Sequence, residues 1–219
     1  MADVERHEFF PTCLYRFKHD FENNELNSMI KHIEDNSLSE LNGQGVKRSG
    51  SQTQDELHKI DTFSNLTKTI IDVSKSILEE QGYIGEVEIT NMWGNILRPQ
   101  SQRAHAPHTH SNNFLSGVFY LKTSDNTSPI QFFDPRPQSD VLKPRKKEYT
   151  RLNSNIAKFQ SETGWGVVFP SWLVHWVPET KDERISIAWN IIVRGEYGEP
   201  NALQNAHIYS KRGLLKSES

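Results

Sequence analysis

Three histidines fall close together in His105-Ala-Pro-His108-Thr-His110. In a β-strand, residues two apart point to the same face. On a strand, His108 and His110 therefore project together with Thr109 turned away, a common way to present two imidazoles to one metal ion. His105 stands an odd step from that pair and is expected in a supporting position or at the surface. His175 is the candidate third ligand. It sits in Phe169-Pro-Ser-Trp-Leu-Val-His175-Trp-Val-Pro178, a setting so apolar that a hydrogen-bonded core histidine is the competing reading. Further on, Arg184-Ile-Ser-Ile-Ala-Trp-Asn-Ile-Ile-Val193 alternates cleanly. Ile185, Ile187, Trp189, Ile191 and Val193 share one face, and Arg184, Ser186, Ala188 and Asn190 share the other. That second face either meets solvent, the default for an antiparallel strand, or lines the inside of a barrel. Inside a barrel, the arginine fork suits a two-point grip on a carboxylate.

The elements that must position these residues are of two kinds. Phe21 to Asn36 places Leu26, Met29, Ile30 and Ile33 at helical spacing, and Asn65 to Gln81 does the same with Leu66, Ile70, Ile71, Val73, Ile77 and Leu78 before Gly82. Between them, residues 41–57 are polar and Gly-rich at first and read as a long loop of the kind that often covers a site. After residue 85 the period becomes alternating. Strands are expected over Glu86–Leu97, Phe114–Lys122, Pro129–Asp134, Trp165–Phe169 and Arg184–Arg194, with turn residues between them. This predicts an all-β core with flanking helices, sandwich or barrel, rather than alternating β-α-β units. Residues 1–219 read as a single domain: a helical N-terminal layer and loop over 1–85, a β core over 86–200, and a tail over 201–219 that is frayed or a short docking arm.

Composition narrows the function classes. The formal net charge of −3 argues against a nucleic-acid partner, which needs a basic excess. No run of about 18 apolar residues is present, so no membrane span is expected. The N-terminus carries no apolar signal region. Cys13 is the only cysteine, which leaves neither an intrachain disulfide nor a thiolate zinc cage and favours a reducing, cytoplasmic location. The five tryptophans are expected mostly in the core, with Trp172 and Trp176 as candidates to line a pocket beside His175. Lys143-Pro-Arg-Lys-Lys147 reads as a solvated charge run.

The order His108-x-His110, Ser116-Gly-Val-Phe-Tyr120-Leu, then His175 with Arg184-x-Ser186 nine residues later, resembles the Fe(II)/2-oxoglutarate-dependent oxygenases. It is most similar to a subgroup of bacterial and phage proteins whose pattern runs Pro-His-x-His, Ser-Gly-Val-Tyr-Tyr, Phe-Pro-Ser-Trp-Leu-x-His and Arg-x-Ser-x-x-x-Asn. Residues 107–190 follow that order, and Phe9-Phe-Pro-Thr12 and Ser49-Gly-Ser-Gln52 extend the similarity. The resemblance implies a double-stranded β-helix, or jelly roll, with N-terminal helices packed on it. It also implies a mononuclear Fe(II) site with 2-oxoglutarate as cosubstrate. His108 and His175 match the two histidine ligands of the family. Arg184 matches the partner of the far carboxylate of 2-oxoglutarate, Ser186 its hydroxyl companion, and Tyr120 a strand residue that bonds the same carboxylate. The usual triad is two histidines and a carboxylate. His110 occupies the carboxylate position here, which makes a three-histidine site, with Asp134 the alternative source of an acid. A coordinating His110 must be neutral, and the ordinary histidine pKa of about 6.5 sets where protons are expected to compete.

The function implied is that of a dioxygenase that hydroxylates a C–H bond, its partners being 2-oxoglutarate, dioxygen and a small-molecule or peptide substrate, with prolyl residues one class by analogy. Two other readings stay open at this point: a zinc hydrolase built on three histidines and a bound water, and a jelly roll that binds a metal or small acid without catalysis.

Overall fold

The computed structural model describes residues 3–22, 24–37, 51–99, 104–201 and 203–209. The strands run β1 Tyr15–Lys18, β2 Ser51–Gln52, β3 Glu86–Leu97, β4 His105–His108, β5 Leu115–Lys122, β6 Ile130–Phe133, β7 Ile156–Phe159, β8 Trp165–Pro170, β9 His175–Val177, β10 Arg184–Tyr197 and β11 Ala206–Ile208. Two helices, α1 Glu25–Asn36 and α2 Ser64–Glu80, lie between the early strands. The larger sheet has the order β1-β8-β5-β10-β3-β2, with β11 on β10, and the smaller has the order β4-β9-β6-β7. Every strand pair is antiparallel. The two facing sheets form the expected jelly roll.

Pleat alternation divides the larger sheet into an outer and an inner face. On the outer face, Ile185, Ile187, Trp189, Ile191 and Val193 of β10 join Met92 and Ile96 of β3 and Leu115, Phe119 and Leu121 of β5. Met29 and Ile33 of α1 and Leu66, Ile70, Ile77 and Leu78 of α2 close over them. On the inner face, Leu97, Val118, Tyr120, Val167 and Phe169 meet Ile130, Phe132 and Val177 of the smaller sheet. Helices therefore cover one side of the larger sheet, and the smaller sheet covers the other, leaving the polar residues of β10 between the sheets.

The five expected strands are all present, within a few residues of their predicted ends. α2 stops where Gly82 does, at φ +73, with Tyr83 N–H donating to the Leu78 carbonyl and Gly82 N–H to that of Glu79. That pair of bonds is the Schellman ending that a left-handed glycine allows. α1 begins four residues later than the periodicity predicts, because Phe21 is taken by an edge-on contact with Phe119 at 5.8 Å between ring centroids. Glu25 instead accepts from the Glu22 backbone N–H and bonds His19.

Two expectations need correction. The N-terminal 85 residues are not only helix and loop, since β1 pairs with β8 and β2 with β3 in the larger sheet. The tail is not wholly frayed either, since Ala206–Ile208 pairs with Gly195–Tyr197. The first part of the 41–57 loop and the end of the tail, residues 38–50 and 210–219, lie outside the described residues, as does Ser49-Gly50 of the family resemblance.

One close approach fixes how β5 and β10 sit together. A Cβ on Gly117 would overlap the Trp189 ring, which is itself fully buried. Gly117→Ala must therefore displace Trp189 or the strand. Overpacking of this kind costs about 1–3 kcal/mol, which predicts a lower denaturant midpoint with an unchanged slope. An unaltered midpoint would show that the ring does not need the space.

Candidate metal centre

His175 lies in β9 directly opposite His108 of β4 on one side and Phe132 of β6 on the other. It is buried among aromatic rings, with centroids 4.6 Å from Phe169 and 6.0 Å from Phe132. His108 is exposed at the end of β4. His110 lies beyond that strand, not on it, so the expectation of a paired strand face is corrected. Its backbone N–H donates instead to the Ser171 carbonyl at 2.9 Å, and its ring stacks on Trp93 at 6.0 Å. The three side chains still converge, with one ligand nitrogen from each lying within 4.8 Å of the others.

Hydrogen bonds settle which nitrogen faces inward. The Nδ1 of His108 is 2.7 Å from the Ala106 carbonyl, and that of His175 is 2.9 Å from the Leu173 carbonyl. A carbonyl only accepts, so both Nδ1 atoms carry the hydrogen and both Nε2 atoms are left to face inward. The Nε2 of His110 lies 3.2 Å from that of His175. Burial, joined by the charge of His108, lowers the His110 pKa to about 4, with Asn190 opposing. Burial lowers that of His175 to about 3, against the bond to Leu173. In the folded metal-free protein these two imidazoles therefore stay neutral well below the ordinary 6.5, and proton competition at them begins at lower pH than the unperturbed value implies.

The histidines border a cavity of about 320 Å³ that is also lined by Gln52, Trp93, Asn95, Arg184, Ser186 and Ala188. The polar face of β10 is thus interior. Arg184 is 1% exposed, donates from Nη1 to Ser186 Oγ at 2.9 Å, and stands 4.9 Å over the Tyr120 ring. Among the described residues it makes no ion pair, and its Nε has no hydrogen-bond partner. The Tyr120 hydroxyl, fully buried beside it, has none either, and burial raises its pKa against the opposing charge of Arg184. A buried guanidinium without a carboxylate is costly, and an anionic ligand is what such a pocket fits.

Asn190 turns inward too, but into a network. It accepts from Ser116 Oγ and donates to Asn91 Oδ1, both at 2.7 Å. Ser116 Oγ also bonds Ser171 Oγ at 2.8 Å, so the network braces the turn that holds His110.

Several sequence expectations are redirected. Asp134 contributes no ligand: its carboxylate is bound by the Arg136 guanidinium at 2.8 and 2.9 Å, which holds its pKa near 2. Trp172 is 57% exposed and Trp176 packs at a tilt against Phe133, so neither lines the cavity. Trp93 does, and Trp189 alone of the five is fully buried. Asn91, Trp93 and Asn95 alternate on β3 in step with the polar face of β10, a signal that would have found them. His105 is not at the surface but lines the cavity. A register shift between His105 and His108 brings both to the same cavity despite their odd spacing.

The metal-free protein should show these burials in its acid stability. Unfolded, the three inward histidines take up protons near pH 6.5, but folded they resist until about 4 for His105 and His110 and about 3 for His175. The unfolded chain therefore binds more protons throughout that window, so stability falls as pH is lowered from 6.5 and the loss is complete only below the folded values. Denaturant midpoints in chelator between pH 7.5 and 4.5 should slope accordingly, and the joint change His110→Gln with His175→Gln should flatten the slope. A midpoint independent of pH would place these rings in water.

Residues 91–190 match the family model described as "Putative 2OG-Fe(II) oxygenase". No curated protein matches the chain. Among solved structures, the epimerase SnoN in complex with Fe3+, alpha ketoglutarate and nogalamycin RO is similar with a TM-score of 0.60 at 13% identity, over 92% of this chain and 93% of that one. A Pseudomonas putida prolyl-4-hydroxylase has a TM-score of 0.59 at 13% identity, over 84% and 94% of the two chains. A Trichoplax adhaerens prolyl hydroxylase, in complex with a hypoxia inducible factor oxygen degradation domain peptide fragment, has 0.57 at 8%, over 82% and 83%. These likenesses are likenesses of fold. The matched segment carries the three histidines, Arg184 and Ser186, and over that segment the chain is similar to the 2OG-Fe(II) oxygenases.

Proposed function

We propose that His108, His110 and His175 together hold Fe(II), and that Arg184 and Ser186, with Tyr120 beside them, hold the far carboxylate of 2-oxoglutarate. The reaction is hydroxylation of a substrate C–H bond. One observation carries this reading: three ligand nitrogens within 4.8 Å border the same cavity as a buried arginine that lacks a carboxylate partner among the described residues. The donor set fits both groups. Three converging imidazoles suit iron, and the orphaned guanidinium and hydroxyl suit a carboxylate. Zinc would accept the same three histidines, but no carboxylate among the described lining residues could serve as a general base, and Arg184 would keep an uncompensated charge.

With both bound, the metal and cosubstrate supply dioxygen activation, with 2-oxoglutarate decarboxylated to succinate and carbon dioxide. The chain's own residues do the positioning. The Ala106 and Leu173 carbonyls hold two imidazoles in one tautomer, and Phe132 and Phe169 pack against His175. Arg184 fixes the orientation of the cosubstrate from the opposite sheet.

For the substrate we propose a prolyl residue of a protein or peptide. Two of the similar structures are prolyl hydroxylases, and the Trp93 face on the cavity wall beside His110 suits an apolar ring. The proposed location is the cytoplasm, where a lone cysteine stays reduced. No described helix is long and apolar enough to cross a membrane.

Two variants test the site. His175→Ala should lose stoichiometric Fe(II) binding while remaining folded by circular dichroism, and unchanged iron content would refute the ligand assignment. Arg184→Leu removes a buried charge-assisted pair worth about 2–5 kcal/mol, so it should weaken 2-oxoglutarate binding at least tenfold while metal content stays the same. Equal affinity in both proteins would restore the zinc reading. Succinate release stimulated by proline-containing peptides, and not by the same peptides with alanine in place of proline, tests the substrate class.

A further inference from the structure

We propose that His105 is a further donor to the far carboxylate of the cosubstrate and thereby makes the site selective for 2-oxo acids that carry a second carboxylate. This rests on the assignment of Arg184 above. Among the described residues, five buried side-chain polar atoms lack a hydrogen-bond partner: His58 Nδ1, His105 Nε2, Tyr120 Oη, Arg184 Nε and Trp189 Nε1. His105 and Arg184 line the same cavity, and Tyr120 lies under the Arg184 guanidinium. Buried polar groups in folded proteins are almost always satisfied. Two orphans on one cavity and a third behind them therefore share a missing ligand.

The ligand must be an acceptor. Arg184 Nε can only donate, so an anion placed against it completes the arginine, and a phenol and an imidazole can each donate to the same group. His105 reaches this cavity from the smaller sheet, opposite Val177, and Arg184 from the larger one. The two therefore approach a bound carboxylate from different sides. The role is not that of a fourth metal ligand, since His105 is absent from the group of three converging nitrogens. Its pKa is lowered to about 4, first by burial and then by the charge of Arg184. The ring therefore faces the cavity as a neutral imidazole, and a carboxylate between it and Arg184 selects the tautomer with hydrogen on Nε2. An acid without that second carboxylate leaves both donors unpaired, which is how a site built from buried donors discriminates.

The test uses the full chain loaded with Mn(II), a stand-in for Fe(II) that does not turn over. Water-proton relaxation of the bound Mn(II) reads the binding of 2-oxoglutarate and of pyruvate, which has the same 2-oxo acid end and no second carboxylate. His105→Leu should weaken 2-oxoglutarate at least tenfold, change pyruvate less than twofold, and leave Mn(II) stoichiometry intact. His105→Gln, which keeps an N–H donor, should recover most of the loss. His105→Ala, which introduces no new bulk, is read in the same way if the leucine variant does not fold. A variant that binds 2-oxoglutarate as the wild type does overturns the role of His105 and leaves Arg184 in place. Equal weakening of both acids, or loss of Mn(II), also overturns it, by making His105 a support for the metal. A wild type that binds pyruvate and 2-oxoglutarate equally well overturns the Arg184 assignment as well.

Discussion

The structure depends on one strand being held in register while its two faces face opposite environments. β10 buries Ile185, Ile187, Trp189, Ile191 and Val193 against helices and Arg184, Ser186 and Asn190 inside the sheets. A slip of one residue would exchange the faces, driving a guanidinium into the helical core and an indole into the cavity. Burial of the apolar face is the stronger preference, at roughly 2 kcal/mol for each large aliphatic side chain, and it locks the register. The arginine is thus carried inward by its neighbours. Alone, its desolvation would argue against that position.

From that strand the restraint spreads to the converging histidines through hydrogen bonds. Asn190 joins Asn91 on β3 and Ser116 on β5, and Ser116 reaches Ser171 in the turn before His175. The Ser171 carbonyl receives the His110 backbone N–H. Two of the three converging histidines therefore flank a single turn that is braced from the larger sheet. The third, His108, is set by its register with His175. Short strands carry the imidazoles, and the long strands keep those short strands in place.

The long elements were legible because each had enough residues to express a period. β10 alternates over its length, β3 and β5 are runs of eight or more residues bounded by turns, and α2 shows helical spacing over 17. The convergence of the histidines and the inward arginine was legible through a family resemblance, whereas the same-face spacing of His108 and His110 was no guide because β4 ends at His108. β9 has three residues and β4 and β7 four, too few for a period to stand out. The place of His105 was hidden for a sharper reason: a bulge adds a residue to one strand, so counting by twos across Pro107 gives the wrong face. The tryptophans were misplaced because apolarity alone does not distinguish a ring packed under helices, such as Trp189, from one on a rim, such as Trp172.

His110 stands off the β ladder, held by one peptide hydrogen bond and one stacked indole, whereas His108 and His175 are rungs of a paired strand. A substitution at a rung must fit the pairing of the short strands, but one at His110 must fit only the turn and the Trp93 ring beside it. The architecture therefore leaves one of the three converging side chains replaceable without remaking the fold. Within such a scaffold, the charge at the point where the three side chains converge can be altered by one replacement.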